Sequence, residues 1–314
     1  MEHQRTIRHT VSLSGVGLHS GHPSRISLSP APVDHGIMFR RKIHGYVETC
    51  QASIRNLRPM ELCTVIGSNG FQVQTTEHVL SALWGMGIDN AVVDIDSEEV
   101  PAMDGSAAPF TRSIQHAGIV LQERPRTYLQ ILEPIHLGSH MHRISIFPSP
   151  FPKITYTIDY DHHLIQRQTY EHEWSAAAFQ ANIARARTFA FSHEVKDLWA
   201  RGLGKGGSLD NAIVFTDTGI MNEGTLRYPD ECVRHKILDI IGDMSLLGLR
   251  IIGHVVADRS GHTLNNQLVQ TILDNPDSWT LLGYNEKRTM DSADLVCMGT
   301  GREHAVPLVA NASF

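Results

Sequence analysis

His235 and Asp239 stand four residues apart in the run VRHKILDIIGD (233–243). That spacing puts an imidazole and a carboxylate one turn apart on the same helix face, near enough to share an ion. Asp243 extends the stripe by another turn of a helix expected over about 230–247, and Val233, Ile237, Leu238, Ile240, Ile241 and Met244 supply the apolar face beside it. Taken alone, such a pattern is more often a solvated polar face or a helix-surface ion pair. His78 strengthens it, because in TTEHVLSAL (75–83) it opens a similar apolar, helix-periodic run in the other half of the chain. If the two halves pack with equivalent helices face to face, His78 meets His235 and Asp239. Two imidazoles, one carboxylate and a water form a catalytic zinc set with an open position. Imidazole and carboxylate without thiolate suit Zn2+, and Fe2+ is compatible by ligand type. Such an ion brings a bound water to a pKa of about 7.

Glu77 neighbours His78, just after Thr75 and Thr76, which read as an N-cap region. Adjacent helical residues point about 100° apart, so Glu77 is no second ligand from the same direction. It reads either as a general base toward the water or as the acidic residue that a helix's first turn favours. His262, in RSGHTLNNQ (259–267), sits where a Ser-Gly loop leads into an apolar helical run. A carboxylate such as Asp243 beside it would favour its charged form, which suits oxyanion stabilisation or protonation of a leaving amine. The alternative is a structural or solvent-facing histidine. These groups suggest metal-assisted hydrolysis and leave the substrate open.

The elements that must position them come in two similar sets. RISLSPAP (25–32) and RISIFPSP (143–150) share five of eight residues, each an alternating strand ended by proline. EHVLSALWGMGIDNAVVDI (77–95) and RHKILDIIGDMSLLGLRIIGHVV (234–256) share a helix, a glycine break and a β-branched strand. The strand motif recurs after 118 residues and the histidine motif after 157, so the second half holds 39 more residues between these landmarks. They fall in 151–234, around ARTFAF (186–191) and LGKGGSLDNAIVF (203–215), an irregular segment of the kind that carries function. The polar stretch QERPRTY (122–128) marks a boundary between domains spanning 1–124 and 125–285, with a weakly patterned tail at 286–314.

Composition narrows the class. The 314 residues carry 27 Lys+Arg against 33 Asp+Glu, a net charge of −6, which argues against a nucleic-acid binder. No stretch approaches the roughly 18–20 apolar residues of a membrane span, and the start MEHQRTIRHT lacks the apolar core of a secretion signal. Cys50, Cys63, Cys232 and Cys297 are scattered without a CxxC pair, so neither a disulfide framework nor a zinc ribbon is expected. A cytoplasmic protein is expected.

GVGLHSG (15–21), LCT (62–64), TTEHVLSAL, GIDN (87–90), MDGSAAPF (103–110), ARTFAF, GGSLDNAIV (206–214), VRHKILDIIGD and SGHTLNN (260–266) occur in that order. On these motifs the chain resembles the UDP-3-O-acyl-N-acetylglucosamine deacetylases, the zinc amidases of lipid A biosynthesis. The resemblance implies an α+β fold of two duplicated domains, each a sheet layered on helices, with both helix layers packed together between the sheets. It implies one zinc ion on His78, His235 and Asp239, Glu77 as general base, and His262 oriented by Asp243 as electrostatic partner and candidate general acid. Thr188 would donate to the developing oxyanion, and Lys236 would meet anionic or polar groups of the substrate. The insertion would form the apolar passage for the 3-O-acyl chain, with Phe189 and Phe191 near its mouth. Tyr160 resembles the residue that stacks on uracil, and Arg259 a basic diphosphate contact. Lys205 and Gly204 depart from the apolar residues that relatives often carry there, so acyl-chain preference does not transfer. Cys63 matches a cysteine near the family's metal centre and reads equally as a small buried hydrophobe. The implied reaction is hydrolysis of the N-acetyl group of a UDP-linked acylated amino sugar, with membrane contact only peripheral and transient. A non-catalytic nucleotide-sugar-binding relative and a same-fold zinc amidase acting on another acylated substrate are the alternatives.

Overall fold

A computed structural model describes residues 2–68 and 70–283; the proposed tail at 286–314 and Cys297 lie outside them. Two five-stranded sheets share one topology. In the first, Val11–Val16, Pro23–Pro30, Ala91–Ile95, Ile37–Ile43 and Tyr46–Gln51 lie side by side in that order. In the second the order is Ile135–Gly138, Arg143–Phe147, His254–Asp258, Lys153–Tyr160 and Gln166–Glu173. Each central strand runs antiparallel to its neighbour on one side and parallel to that on the other. The RISL and RISI motifs occupy equivalent places. In both, alternation turns the isoleucine and the apolar residue two positions on, Ile26 and Leu28 or Ile144 and Ile146, fully inward.

Helix α1 (Glu77–Gly85) and helix α2 (Ala108–Ala117) belong to the first half. The second half contributes α3 (Ala176–Asn182), α4 (Val195–Ala200), α5 (Glu231–Met244) and α6 (His262–Asp274). Helix α2 lies against Val11–Val16, α6 against Ile135–Gly138 and α5 against Lys153–Tyr160, while α1 packs on α5 in the middle. The result is the expected α+β arrangement, with helices meeting between two sheets. Helix α1 is buried nearly all round, as a helix caught between two layers must be.

Some local expectations change. The helix expected to reach Leu247 is α-helical only to Met244; Ser245–Leu247 tighten into a 3-10 turn that stops at Gly248 (φ +78°). Thr76 holds the N-cap position of α1, but its hydroxyl donates to the Thr64 carbonyl instead of capping the helix. The 151–234 segment does hold extra structure, a sheet of Phe189–Phe191, Ile213–Thr216 and Gly219–Ile220. The first half has its own small sheet, Leu57–Arg58, Val65–Ser68 and Phe71–Val73, which the repeat comparison does not foresee.

The stretch 122–128 is no solvated linker. Ile119–Pro125 pairs with His3–Ile7, and Tyr128–Ile131 pairs with both Arg250–Ile252 and Trp279–Leu282. Between these strands Arg126 is only 2% exposed, its Nε and Nη2 on the Asp89 carboxylate at 2.9 and 2.7 Å. Arg250, also buried, donates from Nη2 to the Ile88 carbonyl and lies over the rings of Trp84 and Trp174. One carboxylate thus ties guanidinium groups from the boundary stretch and from the second half to the first.

Candidate metal centre

The α1–α5 crossing brings the two halves' chemistry together. At Gly242 a Cβ would lie 2.2 Å from the Glu77 carbonyl oxygen, so only glycine lets the backbones approach this closely. His78 from α1 and His235 and Asp239 from α5 then converge, with one ligand atom from each lying within 4.8 Å of the others. His235 Nε2 is 3.3 Å and His78 Nε2 3.7 Å from Asp239 Oδ1, and the two imidazole rings meet edge to face at 5.1 Å. All three residues are buried.

The donor set fits a divalent metal. His235 Nδ1 lies 3.1 Å from the Ala186 carbonyl, a contact that places the ring's hydrogen there and turns the Nε2 lone pair toward Asp239. Burial pushes the His78 imidazole down to about 3, helped by His235 and opposed by Asp239. Burial lowers His235 as well, against the attraction of Asp239. Burial alone would raise Asp239, but His235, Lys236, His262 and His78 together hold it well below the usual carboxylate range. Two buried imidazole nitrogens and an ionised carboxylate oxygen converge on one space, a donor set that suits a cation at their centre.

Two proton-handling groups interact with the cluster. Glu77 is 3% exposed and accepts from the Thr64 backbone N–H at 2.9 Å. Burial pushes its carboxyl up to about 7; His262 opposes this, and Asp239 and Asp243 add to it. His262 Nδ1 lies 2.9 and 3.1 Å from the two oxygens of Asp243, which is itself fully buried. Burial disfavours its charged form, yet the charge and hydrogen bond of Asp243, with Asp239 and Glu77, lift it to about 9. A base near neutrality thus faces an imidazolium, the separation that acid–base chemistry uses.

The remaining expected residues divide. Lys236 Nζ donates to Asp239 Oδ2 at 2.7 Å and is mostly buried, so in this structure it orients the carboxylate opposite the ligand cluster. Burial works against its charge, but Asp239, Tyr156 and Tyr160 keep the ammonium above its ordinary range. Thr188 is held by backbone hydrogen bonds to Gly105 and Ile213; a Cβ at Gly105 (φ +78°) would lie 2.0 Å from the Asn211 carbonyl oxygen, so MDGS and LDN interlock there. Phe189 lies 6.5 Å from the His235 ring, and Tyr160 contacts Phe189 and Phe191 at 5.6 and 5.5 Å. These rings form one half-buried aromatic wall beside the cluster. Arg259 places its Nε on Asp258 at 3.1 Å, and its carbonyl accepts from His142 Nδ1. Cys63 is 2% exposed, with its thiol pushed above the ordinary range by burial and by Glu77, the state of an inert buried thiol.

Three contributors carry no role in the residue-by-residue reading. Thr64 and Asn265 both donate to Asp243. His19, 8% exposed, has no protein partner for either ring nitrogen among the described residues and interacts electrostatically with His262. All lie inside quoted motifs, but small polar side chains and a lone histidine give no spacing signal.

Comparison with known proteins points to one family. A family model described as UDP-3-O-acyl N-acetylglycosamine deacetylase matches residues 4–274. A UDP-3-O-acyl-N-acetylglucosamine deacetylase of Syntrophotalea carbinolica is 45% identical over 94% of this chain and 96% of its own length. Proteins of the same name from Xylella fastidiosa and Stenotrophomonas maltophilia are 44% and 41% identical, covering 90% and 94% of this chain and 94% and 98% of their own. With the match running through both sheets and all the residues that build the cluster, the chain belongs to the UDP-3-O-acyl N-acetylglycosamine deacetylase family.

Proposed function

We propose that this protein hydrolyses the acetamide of UDP-3-O-acyl-N-acetylglucosamine, giving acetate and UDP-3-O-acyl-glucosamine, the committed step of lipid A biosynthesis. The observation that carries the reading is the convergence of His78, His235 and Asp239 from two halves of the chain, with Glu77 beside His78 and with His262 hydrogen-bonded to Asp243. One zinc ion per chain is the proposed metal, with Fe2+ the alternative by ligand type. When bound, zinc polarises a carbonyl and lowers the pKa of a water to about 7.

The chain's own residues do the rest. Glu77 accepts the proton of the attacking water as the new C–O bond forms. The positive charge of His262, held by Asp243, and the Thr188 hydroxyl stabilise the oxyanion, whose charge develops only in the transition state. The C–N bond then breaks, and the amine takes a proton from Glu77 or His262. Lys236 holds Asp239 and extends positive charge toward substrate. Phe189 and Phe191 guide the acyl chain, Tyr160 stacks on the base, and Arg259 meets the diphosphate; such remote contacts align the amide. The two domains that join at 124/125 supply the two sides of this site, Glu77 and His78 from the first and His235, Asp239, Asp243 and His262 from the second. A nucleotide-sugar substrate fits a cytoplasmic enzyme, and the acylated product fits transient membrane contact; among the described residues no helix is long and apolar enough to cross a membrane.

The test is acetate release from the UDP-linked acyl sugar beside UDP-N-acetylglucosamine and free N-acetylglucosamine. Turnover confined to the first supports the assignment. Binding of the first without acetate release would leave a sensor instead.

A further inference from the structure

The motif LCT contributes Thr64, which takes no part in the chemistry above, yet all its polar groups converge on it. Thr64 is fully buried. Its backbone N–H donates to Glu77 Oε2 at 2.9 Å, and its hydroxyl donates to Asp243 Oδ1 at 2.5 Å while lying 3.3 Å from His262 Nδ1. Its carbonyl accepts both the backbone N–H and the hydroxyl of Thr76, each at 3.1 Å. We propose that Thr64 is a positioning residue that locks Glu77 to the Asp243–His262 pair, so that the two proton-handling groups keep one relative geometry.

The surroundings explain why one residue can do this. Glu77 rides on α1, whereas Asp243 and His262 ride on α5 and α6, so no single helix holds the base and the imidazole in register. The segment carrying Thr64 is bracketed by left-handed turns at Leu62 (φ +67°) and Thr75 (φ +56°), a conformation that non-glycine residues adopt only when the surroundings enforce it. It is stitched to the start of α1 through Thr76. Asp243 accepts from Thr64, Asn265 and His262; without the hydroxyl its Oδ1 keeps only the imidazole, and the carboxylate loses its tie to the segment that holds Glu77. The β-branch of threonine restricts χ1 and aims the hydroxyl.

This inference rests on the deacetylase reading, and its test separates the two. Thr64→Val keeps the shape and the backbone N–H but loses the hydroxyl; Thr64→Ser keeps the hydroxyl. Because a hydrogen bond to a charged group is lost, kcat of the zinc-loaded Val variant should fall about 10- to 100-fold. KM should stay within about twofold, zinc should remain at one per chain, and the Ser variant should recover most of the rate. If Val does not fold, Thr64→Ala removes the same hydroxyl. A hydroxyl-free variant within about threefold of wild type, or a Ser variant no better than it, overturns the lock. Wild type that releases no acetate rejects the substrate reading alone. The lock is then judged by NMR titration of the His262 imidazole, which faces Asp243 and Asp239 of α5, Glu77 of α1 and His19. Its midpoint should move by about half a unit or more in the Val variant and not in Ser; one midpoint for all three proteins overturns it.

Discussion

Replacing Gly242 with alanine tests whether the active geometry depends on how closely α1 and α5 cross. The added Cβ would lie 2.2 Å from the Glu77 carbonyl oxygen and 2.8 Å from its carbonyl carbon and Cα, where ordinary contact begins at 3.4 Å. The obstacle is backbone, so no side chain can swing aside, and α1 must retreat by about 1 Å. His78 moves with it, while metal–ligand bonds tolerate only about 0.2 Å. Overpacking costs about 1–3 kcal/mol, but alanine in a helix regains about 1 kcal/mol over glycine. The fold should therefore survive while the site opens. Metal content after dialysis should drop well below one per chain, and kcat at saturating zinc should fall about 100-fold. Gly219→Ala, whose Cβ meets nothing nearer than 4.0 Å, should match wild type in both assays. A Gly242→Ala protein with full metal and wild-type turnover would refute the argument that the crossing sets the site.

Glu77→Gln should retain metal and lose about 100- to 10,000-fold in kcat, as expected for a general base; wild-type turnover would remove Glu77 from the chemistry. His78→Ala should lose metal on dialysis, and unchanged metal content would reject it as a ligand. Activity should rise with pH as Glu77 loses its proton, at a value below the metal-free one of about 7 because a nearby cation favours the carboxylate. It should fall as His262 loses its own, at a value below the metal-free one of about 9 because the same cation disfavours the imidazolium. A His262→Gln enzyme should lack that basic limb, and its persistence would point to another group. Asp89→Ala leaves the buried Arg126 and Arg250 without their shared carboxylate, so urea unfolding should show a loss of about 3–5 kcal/mol; an unchanged midpoint would show that the carbonyls around them suffice.

How much of this the sequence contains can be judged residue by residue. The duplication was readable because strand alternation and helix periodicity are local, and RISL and RISI fall at equivalent strands of identical sheets. His235, Asp239 and Asp243 were readable as a stripe because helix geometry alone places residues four apart on one face. The joining of His78 to them needed the assumption that the halves meet, and the motifs supplied it by resemblance. Lys236 shows the limit: the resemblance implies a substrate contact, and only the structure adds that its ammonium reaches Asp239, because three residues along a helix is also within reach.

By itself, then, the sequence determined the two half-folds and which residue types could bind a metal and move protons, since both follow from short-range periodicity. Only the tertiary structure decided that Gly242 brings α1 against α5, that Asp89 gathers guanidinium groups from distant segments, and that Thr64 spans two carboxylates 166 positions apart in the chain. The physical reason is that burial and charge pairing depend on which surfaces exclude water together. Glu77 and His262, which free helices would leave near their ordinary pKa values, become once enclosed a carboxyl near 7 and an imidazole near 9.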